Sequence, residues 1–300
     1  MLEATPSNGG LRVEAPAKVN LTLRVLGRRR DGFHDLESVV AAVDLFDRLE
    51  VRPAEDLALE CRGLAVPAGG DNLVMQAAHL LAEETGARCG VRISLRKRIP
   101  LGRGLGGGSA DAAATLVSLN ALWETNLSRG NLARLGARLG SDVPFFLGAP
   151  LAVMRGRGER IEPVPARVRW WLALAWPDFP MPTADVYAAL DRLGPSPDGR
   201  PEATAILGAL GGPAGEAKAF LVNDLERAAR CVRPEAMDFR AMWQQAGAGP
   251  VGMTGSGSAY FALADTEGQA RRYRDAARAA GAEATVVRPL RESGHEETPR

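Results

Sequence analysis

The stretch Ile99-Pro-Leu-Gly-Arg-Gly-Leu-Gly-Gly-Gly-Ser-Ala-Asp111 decides how the chain is read. Gly102, Gly104, Gly106, Gly107 and Gly108 strip side chains from the backbone and permit positive φ, so an anion can approach the N–H groups closely. A helix-forming run over 112–123 follows at once. The first N–H groups of a helix lack intrahelical partners and its dipole favours negative charge there. A glycine loop feeding a helix N-terminus is a phosphate cradle. The bland alternative is a flexible surface loop. Gly102-x-Gly104-x-x-Gly107 matches the dinucleotide spacing, but a charged link, Arg96-Lys-Arg98, separates strand from loop, and Glu124, at about the right distance, ends a helix. The G-x-x-x-x-G-K-[ST] spacing is absent too, so this cradle is of a third design.

Upstream, residues 11–60 read as a strand meander. Val19, Leu21, Leu23 and Val25 alternate with Lys18, Asn20, Thr22 and Arg24, the period of a half-buried strand, which sets Lys18 and Asn20 side by side on the polar face. Asp31-Gly32 is the strongest turn signal and delivers Phe33 and His34. Segments 36–46, 49–51 and 57–61 follow as separate strands. Asp71 is placed to cap a helix running to about 84, with His79 as a structural residue on it, and a strand over 89–95 leads to the glycine loop. Taken alone, Lys18 reads as a solvated strand lysine and His34 as a turn histidine.

Downstream, a helix over 128–139 is stopped by Gly140 as a C-terminal glycine, and Ser141-Asp-Val-Pro-Phe-Phe-Leu147 follows. Asp142 sits beside an apolar cluster, as a catalytic carboxylate or as the cap of the next turn. A Pro-rich crossing suggests a division between residues 1–160 and 161–290. The second part shows a strand over 170–175, a helix through about 193, a Gly/Pro-rich excursion over 194–215, and helices over 216–230 and 234–246. Two strands around Gly252-Met-Thr-Gly-Ser-Gly-Ser258, a helix over 266–280 and a strand over 283–288 complete it, an α+β arrangement. The polar tail 291–300 reads as disordered.

Composition bounds the function. A hydrophobic share of 46% supports a real core, and a net charge of +1 offers no basic excess for nucleic acid. Cys61, Cys89 and Cys231 have no metal spacing and leave one over, which fits a reducing cytoplasm. No apolar run approaches the roughly 18 residues of a membrane helix, and the N-terminus resembles no targeting peptide. The expectation is a soluble cytoplasmic protein, monomer or weak homodimer, with no nucleic acid, membrane or protein metal site.

Pro16-Ala-Lys-Val-Asn20, Pro100-Leu-Gly-Arg-Gly-Leu-Gly-Gly-Gly-Ser-Ala-Asp111 and Gly252-Met-Thr-Gly-Ser-Gly-Ser258 together resemble the three ordered motifs of the GHMP small-molecule kinases. Arg30-Asp-Gly-Phe-His34, Gly140-Ser-Asp-Val-Pro-Phe-Phe146 and Asn223-Asp-Leu-Glu226 resemble the branch whose acceptor is a cytidine-diphospho-methylerythritol. The likeness covers about 11–290 in the family's order. It implies a ribosomal-S5-like N-terminal domain, a ferredoxin-like C-terminal domain and a cleft between them. It also implies transfer of the ATP γ-phosphoryl group to a tertiary hydroxyl in non-mevalonate isoprenoid synthesis, with Mg2+ accompanying the nucleotide.

By the same resemblance Asp142 is the candidate base and Lys18 the catalytic lysine. Pro100, Leu101, Gly102, Arg103, Gly104, Leu105, Gly106, Gly107, Gly108, Ser109 and Ala110 would bind ATP, Ser109 offering a hydroxyl to phosphate or metal. Asn20, Phe33, His34, Thr183, Tyr187, Gly255, Ser256 and Gly257 would bind the acceptor, Phe33 and His34 at its cytosine and Gly255, Ser256 and Gly257 at its diphosphate. The chain departs from the pattern at Phe33, where tyrosine is common, at Ala110 and Thr254, where serine is, and at Arg103, placed to touch a phosphate or point to solvent. Two other readings remain: a GHMP kinase for homoserine or a mevalonate-type acceptor, and a non-catalytic sensor of the same fold.

Overall fold

The computed structural model describes residues 1–64, 69–87, 90–194 and 199–291. Cys89 and the tail 292–300 lie outside them. The described residues form two sheets. The first contains β1 (Thr5–Ser7), β2 (Gly10–Asn20), β3 (Arg24–Arg28), β4 (His34–Ala54), β5 (Ala58–Gly63), β6 (Gly90–Lys97), β7 (Leu151–Gly156) and β8 (Arg160–Pro163). Its order is β1-β2-β4-β6-β5, with β3 and β7 on the first half of β4 and β8 on β7; among these described strands β5 and β6 alone pair in parallel. Segments expected as separate strands over 36–51 form the single long strand β4, because β2 pairs along it across both halves while β7 and β6 each take one half of its other edge.

Four helices cover one face: α1 (Leu73–Thr85), α2 (Gly107–Leu122), α3 (Arg129–Leu139) and α4 (Val143–Leu147). Asn72, not Asp71, caps α1, accepting the Val74 N–H at 2.9 Å. Helix α2 starts five residues earlier than the alanine run suggests, so Gly107 and Gly108 are already helical. Gly140 ends α3 with φ 178°, an extended conformation that does not need glycine, so it is no left-handed cap. Leu116, Leu119, Phe145 and Phe146 pack with Val13, Leu49, Ile93 and Leu95 in the core beneath these helices.

The second sheet contains β9 (Trp171–Trp176), β10 (Val251–Met253), β11 (Tyr260–Ala264) and β12 (Glu283–Val287), all antiparallel in the order β10-β11-β9-β12. The expected division at 160/161 falls at the start of β8, which still pairs with β7; residues 164–170 cross to the second sheet. One face of this sheet carries α5 (Thr183–Leu193), α6 (Glu226–Val232), α7 (Glu235–Gln245) and α8 (Glu267–Ala279). The helix expected over 216–230 is instead a 3₁₀ segment, Ala214–Phe220, followed by the short α6. The other face, Leu172, Leu174, Phe261 and Leu263, packs on Val19, Val39 and Val43 of the first sheet.

That contact makes both faces of the β2–β4 pair buried, so the half-buried alternation expected there does not hold. Register shifts after Pro16, leaving Asp44 and Leu45 unmatched between Phe46 and Val43. Such irregularities re-aim side chains. Before the shift Val13 and Ala15 pack under the helices; beyond it Ala17 and Val19 pack on the second sheet. Lys18 and Asn20 therefore face the helical side, opposite Ala42 and Val40, at 4% exposure each.

Candidate active site

The end of β2, the glycine loop, α4, α5 and the turn before β11 enclose a cavity of about 850 Å³ between the two sheets. Every expected site residue lines it except Ala110 and Gly257. Ala110 is buried in the first turn of α2, and a Cβ at Gly257 would point at the Met253 sulfur, 3.0 Å away.

Lys18 is no solvated lysine. Its Nζ donates to Asn20 Oδ1 at 2.6 Å and lies 3.2 Å from Asp142 Oδ2. Asn20 Nδ2 in turn donates to Ser38 Oγ at 2.7 Å, which fixes the amide so that its oxygen faces the ammonium. Asp142 stands at the N-cap position of α4 yet makes no capping bond. The capping role is thus excluded; the carboxylate turns to Lys18 and remains about a third exposed, at 34%. Val143, Phe145 and Phe146 are fully buried and anchor the short helix that aims it.

The loop is fitted to the lysine by backbone chemistry. Leu105 O accepts the Lys18 N–H at 2.9 Å. Gly106 has φ +70°, and a Cβ there would meet Lys18 Cγ at 2.8 Å, so a side chain is excluded on two grounds. Gly104 packs its backbone against Thr254 O, where a Cβ would come to 2.2 Å. Thr254, noted from sequence only as a conservative change from serine, accepts the Asn20 N–H at 3.0 Å and donates to Gly104 O at 3.2 Å. One hydroxyl thus joins all three motifs. Arg103 does not point to solvent: it lines the cavity and donates to Ser258 Oγ at 2.7 Å, across the same junction. Ser109 faces the cavity from the first turn of α2.

The far wall comes from both halves. His34 Nε2 lies 2.7 Å from Asp191 Oδ1, and its ring is 4.9 Å from that of Tyr187. Burial, with the nearby charge of Asp142, holds the Tyr187 phenol above its ordinary pKa, so it stays neutral. Phe33 is half exposed, with the Arg157 guanidinium 4.6 Å from its ring centre. Thr183 and Ser256 share a hydrogen bond of 2.8 Å. Asn223 Nδ2 donates to Met253 O and Gly255 O, both at 2.9 Å, while Asp224 accepts from Arg24, Arg200 and the Val25 N–H. The Asn223-Asp224 pair thus ties β3 of the first half to the third motif in the second. Asp191 and Arg157 carried no sequence signal; they adjoin the site only through the fold.

A cleft with a glycine loop and a lysine–aspartate pair suits a small-molecule kinase, and the known proteins agree on the class. Models described as the GHMP kinases N terminal domain and the GHMP kinases C terminal match residues 72–149 and 205–283. The 4-diphosphocytidyl-2-C-methyl-D-erythritol kinase of Symbiobacterium thermophilum is 42% identical over 285 residues, covering 93% of this chain and all of that one. A crystal structure of 4-(cytidine 5'-diphospho)-2C-methyl-D-erythritol kinase superposes with a TM-score of 0.78 at 41% identity, over 93% of this chain and all of the other. Homoserine kinase from Cytophaga hutchinsonii shares the fold, at a TM-score of 0.70 and 20% identity over 95% of this chain and 96% of its own. The chain belongs to the family of 4-diphosphocytidyl-2-C-methyl-D-erythritol kinases within the GHMP class.

Proposed function

We propose that this chain transfers the γ-phosphoryl group of ATP to the C2 hydroxyl of 4-(cytidine 5'-diphospho)-2-C-methyl-D-erythritol. The observation that carries the proposal is the Lys18–Asp142 pair, 3.2 Å apart on the cavity wall, with the glycine loop on one side and the His34–Tyr187 wall on the other. Phosphoryl transfer asks for placement and charge stabilisation more than covalent help. Backbone N–H groups of the loop and of the start of α2 receive the ATP phosphates. Asp142 accepts the hydrogen bond of the C2 hydroxyl and takes its proton as the oxygen attacks γ-phosphorus and the bond to ADP breaks. Lys18 offsets the charge that develops on the moving group. His34, Tyr187 and Phe33 hold the pyrimidine, and Thr183 and Ser256 line the path of the diphosphate.

No cluster of three or more His, Cys, Asp or Glu suited to a metal ion occurs among the described residues. A Mg2+ carried in by nucleotide phosphates keeps most of its waters and asks for few protein donors. Ser109 is the hydroxyl that would reach it, and the ion would neutralise charge between the β- and γ-phosphates. No helix of the described residues is long and apolar enough to cross a membrane, and a reaction fed by ATP fits the cytoplasm.

A coupled ADP-release assay with Mg·ATP tests the proposal, offering the cytidine-diphospho acceptor and homoserine in parallel. Turnover with the first alone is expected. Turnover with homoserine would discard the pyrimidine site, and ATP binding without ADP release from either would make the protein a sensor.

A further inference from the structure

The glycine loop runs from the end of β6 at Lys97 to the start of α2 at Gly107, and Gly102, Gly104 and Gly106 hold positive φ within it. A segment of that composition draws little rigidity from its own side chains. Directly behind it lie three ionisable groups on three different elements, Asp47 of β4, Lys97 of β6 and Asp111 of α2, at 0%, 3% and 3% exposure. Asp47 Oδ1 accepts the N–H groups of Arg98 and Ile99 at 2.5 and 2.9 Å, the two residues that enter the loop. The Lys97 ammonium bonds the other oxygen of Asp47 and reaches Asp111 Oδ2 at 2.6 Å, in the second turn of the helix that leaves the loop. Gly107 makes room for it: a Cβ there would sit 3.0 Å from Lys97 Nζ.

We propose that Asp47, Lys97 and Asp111 form a staple that fixes the span of the phosphate loop and thereby sets affinity for nucleotide phosphates. Lys97 and both aspartates are positioning residues in this scheme, acting through the loop, and the inference rests on the ATP-dependent kinase reading above. Stability alone does not account for the cluster. Desolvating buried charges is expensive, and well-packed apolar residues commonly hold a core as well. One ammonium serves two carboxylates, and Asp111 Oδ1 has no hydrogen-bond partner among the described residues. What apolar side chains could not do is grip the N–H groups at the loop entry and the helix at its exit through one ion.

The test compares Asp111→Leu, which breaks the exit grip, with Asp111→Asn, whose amide oxygen still accepts from Lys97. ADP affinity is measured by calorimetry without acceptor, then the Michaelis constants for ATP and acceptor. Asp111→Leu is expected to weaken ADP at least tenfold, with acceptor KM and kcat at saturating ATP within threefold of wild type. Asp111→Asn is expected to stay within threefold throughout. Where the leucine variant fails to fold, Asp111→Ala takes its place. Unchanged ADP affinity in Asp111→Leu, equal losses in both variants, or acceptor affinity falling in step with ADP would each overturn the staple. Because ADP is titrated without acceptor, a wrong acceptor leaves this test intact, whereas a wild-type protein that ignores ADP overturns the kinase reading and the staple with it.

Discussion

Lys18 and Lys97 stand on the two strands that flank β4, both almost wholly buried, and both reach carboxylates from other elements beside the same glycine loop. Their partners differ. Asp142 keeps a third of its surface open to the cavity, while Asp47 and Asp111 keep 0% and 4%. A carboxylate at a cavity wall can trade water for a hydroxyl that enters the cavity. A sealed pair has only its own bonds to offer, so its contribution is shape. Nearly equal burial of two lysines thus separates chemistry from architecture only when the partner's exposure is included.

The largest effect that could break this distinction is at Asp142. Asp142→Asn is expected to lower kcat by roughly 10²–10⁴-fold, the range of a positioned base, while the Michaelis constant for ATP stays within threefold. Melting temperature should fall modestly: the side chain caps nothing, but the buried Lys18 ammonium loses its countercharge while keeping its bond to Asn20. Lys18→Met is expected to reduce kcat too, and the double variant should lose less than the product of the single losses, since the two act as one unit. Steady-state kinetics of the four proteins decide it. A fall under tenfold in Asp142→Asn would move Asp142 to the architectural group with Asp47.

A smaller effect is expected at the opposite wall. His34→Ala removes a ring against Tyr187 and a partner of Asp191, so the acceptor KM should rise about tenfold, near the 1.4 kcal/mol of a lost contact and hydrogen bond. Because base recognition acts alike in ground and transition states, kcat should hold. A change confined to kcat would move His34 from holding the substrate to the chemistry itself.

The two lysines also mark what could be read from the chain. The glycine loop announced phosphate binding by its residue types, whereas Lys18, Asn20 and Asp142 gained their roles only through the family resemblance; the structure brings all of them to one cavity wall. Their burial was not legible, since it comes from a register shift after Pro16 and from a second sheet more than a hundred residues away. Arg96-Lys-Arg98 read as a charged link between strand and loop. Nothing local shows that its middle residue turns inward to meet Asp47 and Asp111, because those partners lie 50 residues before it and 14 after. Thr254 passed as a conservative change for the same reason: its hydroxyl joins three motifs only once the chain is folded.

The smallest predicted effect sharpens the comparison through pH. Burial first, with the charge of Asp47 adding and that of Lys97 opposing, raises the Asp111 carboxyl from 3.8 to about 8. Between those values the folded protein holds a proton that the unfolded chain has released, so stability falls as pH rises through the window. Asp111→Asn mimics the protonated acid at every pH. Its melting temperature should match wild type near pH 4 and exceed it by a growing margin towards pH 8, which scanning calorimetry in matched buffers would read. The reverse trend, wild type gaining on the variant as pH rises, would mean that Lys97 holds Asp111 ionised. The sealed cluster would then be an ordinary ion triad, and only the opening at Asp142 would still distinguish the two lysines.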